Sequence, residues 1–301
     1  MTTRHCLFLV NSRAGGGRRL SEVGVCARSL ISLGWKVDVA TPADSVQMRD
    51  RAVQAVDESW DCLVVAGGDG TWHDVLQAVA TSLLPMALLP IGTGDDNARS
   101  LQFPSRDPRA LATLIHEGVR RTIDLGRITL DDQVRWFSGI ASIGFDSQVN
   151  ARANDYQRLP GTARYLVAAA RELSTFTPGR YIITTEGDHS GKQRQEIEAM
   201  LIAVGNGGYY GGGMAICPDF RLDDGHLDAT IIGRLPRWRF VKTLPTVYRG
   251  THVRDASVTT LRATRITVEG DDQLVFADGE FVGTLPVILE SIPDALTIVS
   301  A

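Results

Sequence analysis

The sequence has no long apolar run and no excess of basic residues, and each absence excludes a class of protein. A membrane-spanning helix needs roughly 20 consecutive apolar residues, and no segment approaches that length. The apolar run at 6–10 is too short for a signal peptide. The formal net charge is −4, whereas a general nucleic-acid binder is normally basic. We therefore expect a cytoplasmic protein without a nucleic-acid partner.

Cysteine is also scarce. The sequence has four cysteines, which lie far apart without a CxxC pair, and three of them stand among apolar residues. This pattern is typical of reduced thiols in the core of a cytosolic protein. The four are Cys6, Cys26, Cys62 and Cys217.

What remains is the composition of an ordinary globular protein, with 44% hydrophobic and 22% charged residues in a chain of 301, a length comfortable for two domains. In the first part, apolar runs typical of buried strands alternate with segments of helical spacing. This alternation predicts a doubly wound, parallel sheet with ligands outside the carboxyl ends of its strands. The predicted strands are His5–Val10, Lys36–Ala40, Cys62–Ala66 and Met86–Leu89, and the predicted helices are Arg18–Leu33, Ser45–Val56 and Trp72–Ala80.

After about residue 122 the pattern changes to β-rich segments separated by turn signals, with one helix at Ala163–Leu173. We expect a nucleotide-binding α/β domain at 1–122 and a β-rich substrate and catalytic domain, mainly an antiparallel β-sandwich, at 123–290. Residues 291–301 form a C-terminal segment that can return to the first domain. The predicted strands are 127–130, 134–143, 180–186, 196–204, 226–233, 265–269 and 274–277.

A glycine-rich corner, Gly67-Gly68-Asp69-Gly70-Thr71, directly follows the third predicted strand. Glycines permit positive φ and let backbone N–H groups approach an anion, and a helix N-terminus adds partial positive charge. A carboxylate would repel a phosphate unless a cation lay between them. The corner therefore suits a phosphate with a divalent metal, or its carboxylate orients the loop itself.

Two further glycine-bearing loops follow strands one and four, at 11–17 and 92–99. The first is neither a GxGxxG nor a Walker A sequence. In the second, Asp95, Asp96 and Asn97 stand where a helix would begin, so one of them can cap it. Together with Asp69, the two carboxylates could hold Mg²⁺ against a polyphosphate. The expected convergence of three such loops is stronger evidence than any single loop.

These motifs resemble those of the diacylglycerol kinase catalytic-domain family, which includes soluble bacterial lipid kinases and the related sphingosine and ceramide kinases. The match spans nearly the whole chain, although the GGDGT corner alone would also fit NAD kinases. The later motifs follow the family order: GIASIGFDSQV at 139–149, NGGYYGGG at 206–213, Cys217-Pro218, DGHLD at 224–228 and DGE at 278–280.

The resemblance implies ATP- and Mg²⁺-dependent phosphorylation of a lipid hydroxyl, foremost that of diacylglycerol giving phosphatidic acid in phospholipid biosynthesis. It implies that Asp278 and Glu280 lie near the acceptor hydroxyl and that one is the general base, with Asp69 and Asp96 as further catalytic carboxylates. The structural alternative for Asp278-Gly279 is a hairpin turn. The implied nucleotide-binding residues are Asn11, Gly15, Gly16, Thr41, Gly67, Gly68, Asp69, Gly70, Thr71, Gly92 and Thr93.

The resemblance also implies a structural Mg²⁺ held by Asp224 and by the carbonyl groups of Arg221 and His226, where a strand-connecting turn is a compatible alternative. The chain departs from the family pattern at Asp95, where the family usually has Asn. This adds negative charge beside the phosphates, which would demand tighter metal occupancy or alter the nucleotide preference. Asn97 replaces a frequent aromatic residue. His73, which replaces an Asn, better fits a packing or capping role than a base.

Residues 229–254 contain no acidic residue but carry six basic ones interleaved with aromatic residues. Within 234–254, this composition suits contact with an anionic bilayer, so we expect a peripheral protein at the inner face of the membrane that meets its lipid substrate there. The alternative is an exposed helix or loop whose aromatic side chains pack inward.

Two other functions remain open at this point. One is an NAD kinase-like phosphotransferase, which shares the GGDGT corner. The other is a catalytically weak nucleotide-binding or regulatory module, with Asp95 as a mark of divergence. The sequence leaves the lipid open among diacylglycerol, a sphingoid base, ceramide, a monoacylglycerol and phosphatidylglycerol. It leaves the oligomeric state open too, a homodimer included.

Overall fold

The computed structural model describes residues 3–104, 107–154, 161–187 and 191–301. The chain divides into two compact units: Met1–Leu125 with Pro293–Ala301 form the first, and Gly126–Ile292 form the second. The sequence placed the corresponding divisions after residues 122 and 290. None of the helices in the described ranges combines the length and the apolar character that a bilayer crossing requires.

Strands and helices alternate along the first unit, as predicted. Strand Cys62–Gly67 is buried throughout, because both faces of a parallel sheet are covered and successive residues are therefore apolar. The first helix buries Val23, Cys26 and Leu30, which share one face. In chain order the elements are β1 (His5–Val10), α1 (Leu20–Ser32), β2 (Lys36–Ala40), α2 (Ser45–Asp57), β3 (Cys62–Gly67), α3 (Asp69–Val79), β4 (Met86–Pro90), α4 (Asp96–Ser100), α5 (Pro108–Glu117) and β5 (Val119–Leu130).

The sheet of the first unit runs in the order β2–β1–β3–β4, with all neighbours parallel. Cys6 lies beside Cys62, and Leu63 lies beside Met86. The carboxyl ends of β1, β3 and β4 are therefore neighbours at one edge of the sheet. This edge receives the three glycine-bearing loops.

Helix α3 begins at Asp69, and the prediction that it begins at Trp72 was wrong. Gly68 is extended and serves as the N-cap, and its carbonyl oxygen accepts a hydrogen bond from the Trp72 N–H at 3.0 Å. The glycine-rich corner is therefore the first helical turn. Because glycine has a low helix propensity, the sequence pattern did not predict a helix start at these residues.

The second unit is mainly antiparallel, as predicted, but its described residues contain three α-helices where the sequence predicted one. The predicted strand 134–143 is two strands, because the N–H groups of Ser138 and Gly139 donate to a side chain instead of a neighbouring strand. The elements are β6 (Gln133–Phe137), β7 (Ile140–Gly144), α6 (Phe145–Asn154), α7 (Gly161–Thr175), β8 (Gly179–Gly187), β9 (Gly191–Gly205), β10 (Tyr209–Tyr210), β11 (Met214–Ala215), β12 (Leu227–Gly233), α8 (Arg237–Val247), β13 (Val258–Ala263), β14 (Arg265–Gly270), β15 (Leu274–Ala277), β16 (Glu280–Thr284) and β17 (Val287–Ser300).

In the second unit the strand order is β16–β15–β7–β9–β8–β14–β17, and β12 joins β9 to β13. The last part of β17 belongs to the first unit, where Ile298 lies beside Met86 of β4. The ring of Phe145 in α6 contacts Phe240 at a centroid distance of 5.0 Å and Phe176 at 5.3 Å. The contact with Phe240 fixes α8 by one of its faces.

All four cysteines are buried free thiols, as predicted. Burial raises the pKa of Cys26 to about 12, and it raises the pKa of Cys217 to about 12 as well. Such thiols stay protonated and unreactive at neutral pH. Cysteine chemistry therefore has no part in the candidate site.

Candidate active site

The three glycine-bearing loops of the first unit converge, as predicted from the strand order. Asn11, after β1, donates a hydrogen bond from Nδ2 to the Thr71 Oγ1 of the corner at 2.8 Å. The Ile91 N–H, after β4, donates to the carbonyl oxygen of Gly67 at 2.9 Å. The sequence predicted that these motifs converge on a ligand. The structure shows that they also bind one another.

Close packing explains two of the predicted glycines. A Cβ atom on Gly92 would lie 2.5 Å from the Cα of Gly68, and one on Gly15 would lie 2.5 Å from the carbonyl oxygen of Ile91. Any side chain at these positions would therefore push the loops apart. Gly16 differs, because its Cβ would meet nothing closer than 3.9 Å, and only its φ of +69° favours glycine.

Asp69 orients the neighbouring loop. Its Oδ1 accepts hydrogen bonds from the backbone N–H of Asn97 at 2.9 Å and from Asn97 Nδ2 at 3.3 Å. A helix leaves its first N–H groups without intrahelical partners, so a carboxylate there stabilises the start of α4. Of the two roles considered for Asp69, the loop-orienting one is therefore present in the structure. Asn97, which the sequence marked as a departure from the family pattern and as one of three capping candidates, is its partner.

Asp95 and Asp96 each face a guanidinium group. Arg19 Nη1 lies 3.7 Å from Asp95 Oδ2, and Arg99 Nη1 lies 2.9 Å from Asp96 Oδ1. The hydrogen bonds that Arg19 donates to the Glu22 carboxylate, and to a smaller extent the charge of Asp95, raise the pKa of Arg19. The extra negative charge that the sequence places beside the phosphate loops is thus offset by Arg19. No sequence signal linked these two residues, which lie in different loops.

The remaining predicted residues of this unit occupy the same sheet edge or its helices. Thr41 is exposed at the end of β2, and Thr93 is exposed in the loop after β4. Gly70 lies in the first turn of α3. His73 is buried, and Gln77 Nε2 donates to its carbonyl oxygen at 3.2 Å, which agrees with the expected packing role.

This edge suits a polyphosphate. The N-termini of α3 and α4 meet there with glycine-rich backbone, and Arg13 in the first loop and Arg18 directly after it are exposed. Within the described ranges, no cluster of three or more His, Cys, Asp or Glu side chains could hold a metal ion. A Mg²⁺ ion here would therefore rely on Asp69 or Asp96 and on nucleotide phosphates, which is the usual way this ion binds.

Three of the quoted motifs also converge in the second unit, around Gly139. Asp278 Oδ1 accepts a hydrogen bond from the Gly139 N–H at 2.9 Å, and Asp278 Oδ2 accepts one from the Ser138 N–H at 3.2 Å. The carbonyl oxygen of Gly139 in turn accepts from the N–H groups of Asn206 and Gly207, both at 3.1 Å. Asp278 thus holds the turn between β6 and β7 in place.

The Asp278-Gly279 pair is a hairpin turn between β15 and β16. Both residues have positive φ, 50° and 86°, as a type I′ turn requires. Glu280 follows as the first residue of β16, and it is exposed. The two carboxylates differ accordingly: that of Asp278 accepts two backbone N–H groups, whereas that of Glu280 faces solvent.

The loop predicted to hold a structural metal is a turn. Asp224 Oδ1 accepts a hydrogen bond from the His226 N–H at 3.1 Å, and Arg262 contacts Asp224 Oδ2 through its guanidinium group. Arg221 is exposed. A cation at this carboxylate would have to displace Arg262, so the residues as they stand do not favour Mg²⁺. The metal site with Asp224, Arg221 and His226 stays a prediction.

Sequence reasoning singled out neither the buried carboxylate of Asp124 nor the partly buried one of Asp146. Asp124 is only 3% exposed in β5, and its Oδ1 accepts a hydrogen bond from the Asp294 N–H at 3.1 Å. The sequence signal that could have found Asp124 is a single acidic residue between the apolar residues Ile123 and Leu125. Asp146, within the GIASIGFDSQV motif at 139–149, accepts a hydrogen bond from the Tyr210 hydroxyl. Burial raises the pKa of Asp146 to about 7, against the opposing effect of that hydroxyl.

Two family models together match most of the chain. The diacylglycerol kinase catalytic domain matches residues 5–128, and the YegS C-terminal NAD kinase beta sandwich-like domain matches residues 139–300. The second match alone covers more than half of the 301 residues. The resemblance found in the motifs is confirmed.

Curated relatives and a solved structure agree with these matches. A diacylglycerol kinase from Mycobacterium tuberculosis (strain CDC 1551 / Oshkosh) is 35% identical over 293 residues, which is 96% of this chain and 93% of the relative. A probable YegS-like lipid kinase from Xanthomonas euvesicatoria pv. vesicatoria (strain 85-10) is 31% identical over 240 residues, which is 77% of this chain and 74% of the relative. A crystal structure of a diacylglycerol kinase from Bacillus anthracis str. Sterne superposes with a TM-score of 0.75 at 21% identity, over 100% of this chain and 98% of that one. This last likeness concerns the fold alone.

Proposed function

We propose that this chain, which belongs to the diacylglycerol kinase catalytic-domain family, transfers the γ-phosphoryl group of ATP to the hydroxyl group of diacylglycerol. Family membership makes the chain a lipid kinase. The nucleotide, the magnesium ion and the choice of lipid are the proposed parts. The product would be phosphatidic acid.

One observation supports the nucleotide part above all: three loops at one sheet edge bind each other through backbone and short side chains. Gly15 and Gly92 lack the side chains that would separate the loops. The exposed Arg13 and Arg18 add positive charge beside two helix N-termini. Phosphoryl transfer depends mainly on positioning and on charge neutralisation, which such a cradle supplies.

We assign the general base to Glu280. Its carboxylate is exposed, whereas the carboxylate of Asp278 accepts the N–H groups of Ser138 and Gly139. In the proposed step the proton of the lipid hydroxyl passes to a Glu280 oxygen, and the lipid oxygen bonds to the γ-phosphorus. The bond between that phosphorus and the β–γ bridging oxygen breaks, and ADP leaves. Asp278 then acts as a positioning residue for the hairpin.

Asp69 and Asp96 would act at the phosphate end. Asp69 fixes the loop after β4 through Asn97, and Asp96 lies at the start of α4. Magnesium, when bound, would neutralise the developing charge on the phosphates. Arg19 and Arg99 limit the repulsion that these carboxylates would otherwise exert on a nucleotide.

A lipid panel tests the proposal. The purified chain is incubated with labelled ATP and Mg²⁺ and with diacylglycerol, monoacylglycerol, ceramide, a sphingoid base, phosphatidylglycerol or NAD, and the products are separated by thin-layer chromatography. We expect labelled phosphatidic acid. Labelled NADP would favour the NAD kinase-like alternative. ATP binding without transfer to any acceptor would favour the nucleotide-binding module.

A further inference from the structure

Helix α8 is apolar on two opposite sides. Its inner side buries Phe240, Thr243 and Val247, of which Phe240 and Val247 belong to a core cluster of the second unit. Surface helices normally present charged and polar residues on the side away from the core. Here the outward side carries Trp238, which is 63% exposed, and Val241, which is 43% exposed.

The exposed apolar residues form one line. Trp238, Val241, Pro245 and the C-cap residue Tyr248, which keeps helical φ and ψ, follow one another at intervals of three, four and three residues, which places them on the same face. All four are exposed, Tyr248 by 54%. We call these four residues the outer stripe. The spacing of its members is as regular as that of the buried side, so packing in the core does not account for it.

Basic residues border the outer stripe. Arg237, Lys242 and Arg249 are exposed beside it, and the Lys242 ammonium lies 5.0 Å from the centre of the Trp238 ring. No acidic residue occurs between 229 and 254, although the whole chain has a net charge of −4. The nearest acidic side chain in sequence, Asp255, bonds to Arg239 at 3.0 Å. The surface around the stripe is therefore locally basic.

We infer that α8 is the element by which this protein docks on an anionic phospholipid bilayer. The outer stripe enters the headgroup region, and Arg237, Lys242 and Arg249 meet lipid phosphates. A helix that lies on a membrane has this composition: an apolar face containing Trp, bordered by Lys and Arg. A protein partner would not require both the aromatic stripe and the excess of positive charge. The inference rests on the proposed function in one respect, since a kinase of bilayer lipids must reach its substrate there.

Vesicle co-sedimentation of the full chain tests the inference. Vesicles of phosphatidylcholine are compared with vesicles of phosphatidylcholine mixed with phosphatidylglycerol. We expect the unaltered chain to bind the anionic vesicles. The double variant Trp238→Ser/Val241→Ser should lose roughly tenfold or more in vesicle affinity, because its apolar side chains no longer enter the bilayer. The triple variant Arg237→Ser/Lys242→Ser/Arg249→Ser should lose a comparable amount, because its contacts with lipid phosphates are removed. High salt should weaken only the part of the vesicle affinity that comes from the basic side chains.

Matched control variants come from the rest of the surface. Leu83→Ser removes an apolar side chain that is 86% exposed in the first unit, and Arg109→Ser/Arg135→Ser/Arg194→Ser makes the same change in net charge at exposed positions. Both controls should bind like the unaltered chain. Thermal unfolding of every variant confirms that it is folded.

Several results would overturn the inference. Equal binding to both kinds of vesicle, or binding that neither set of α8 variants changes, would exclude the docking role. Sedimentation velocity that shows a dimer abolished by Trp238→Ser would assign the stripe to a second copy of this chain. The test is independent of the catalytic proposal: an inactive protein that still binds anionic vesicles through α8 refutes the kinase reaction alone.

Discussion

Each unit brings three motifs together, but the two clusters are built in different ways. In the first unit the loops meet through missing side chains: a Cβ atom on Gly92 would lie 2.5 Å from Gly68. In the second unit a carboxylate bridges the motifs, and a Cβ atom on Gly279 would meet nothing within 4 Å. The first cluster should therefore be sensitive to added atoms, and the second to the loss of a hydrogen-bond acceptor.

The largest effect on activity is expected at Glu280, where the second cluster reaches solvent. Glu280→Gln should lower kcat about 10²- to 10⁴-fold, which is the usual contribution of a general base, while the free energy of unfolding stays unchanged. Steady-state kinetics with the lipid acceptor, together with urea denaturation, measures both quantities. Asp271→Asn, at an exposed position of the same unit, is the control. A Glu280→Gln protein with normal kcat would contradict the assigned base.

Asp278→Asn should lower the stability that Glu280→Gln leaves unchanged, and so sharpens the comparison. An amide offers one oxygen where the carboxylate offers two, and Ser138 and Gly139 both need an acceptor. We expect a loss of about 1–3 kcal/mol in the free energy of unfolding, the range for a buried donor left without its partner. Urea denaturation measures it. Unchanged stability would mean that Asp278 does not hold the turn.

A pair of glycine variants tests the contrast between the clusters directly. Gly279→Ala should cost only about 1–2 kcal/mol of stability, the price of a left-handed conformation for a residue with a Cβ atom. Gly92→Ala should instead abolish measurable ATP binding, because the loops cannot approach. Isothermal titration with ATP and thermal unfolding are the measurements. Normal ATP binding by Gly92→Ala would show that loop contact is not required.

A third carboxylate, Asp146, should make the free energy of unfolding depend on pH. Its pKa is raised to about 7 by burial, so the native state keeps a proton that the unfolded chain releases near its ordinary, lower pKa. The stability it contributes is present at acidic pH and is lost as pH rises through about 7. Denaturation across this window should show a shallower decline for Asp146→Asn than for the unaltered chain. Asp132→Asn, which is exposed, should keep the original slope.

The smallest effect is expected at Asp95. Arg19 lies 3.7 Å from its carboxylate, and restoring the usual Asn removes that partner while Arg19 keeps its ion pair with Glu22 at 2.7 Å. Partly exposed ion pairs contribute about 0–1 kcal/mol, so Asp95→Asn should change the KM for ATP less than about fivefold. Kinetics on Asp95→Asn and on Arg19→Gln measures the pair. A loss of activity in Asp95→Asn would show that Asp95 has a direct role.

Local pattern was most informative in the first unit. The strands His5–Val10 and Lys36–Ala40 have the predicted bounds, because a continuous or alternating apolar run specifies a strand without knowledge of its partners. In the second unit, α8 was missed as a definite helix. Its Arg-Trp-Arg-Phe start alternates basic and aromatic residues, and Pro245 lies inside it, so helical periodicity was weak.

By itself the sequence determined the class of fold, the order of the motifs and the residue types available for phosphoryl transfer, since these depend on local periodicity and on composition. Only the tertiary structure decided which partners the key carboxylates take. Asp69 bonds to a residue 28 positions away, and Asp278 bonds to one 140 positions away. It also decided which side of α8 faces solvent. Such contacts arise when distant segments pack together, and no local pattern encodes them.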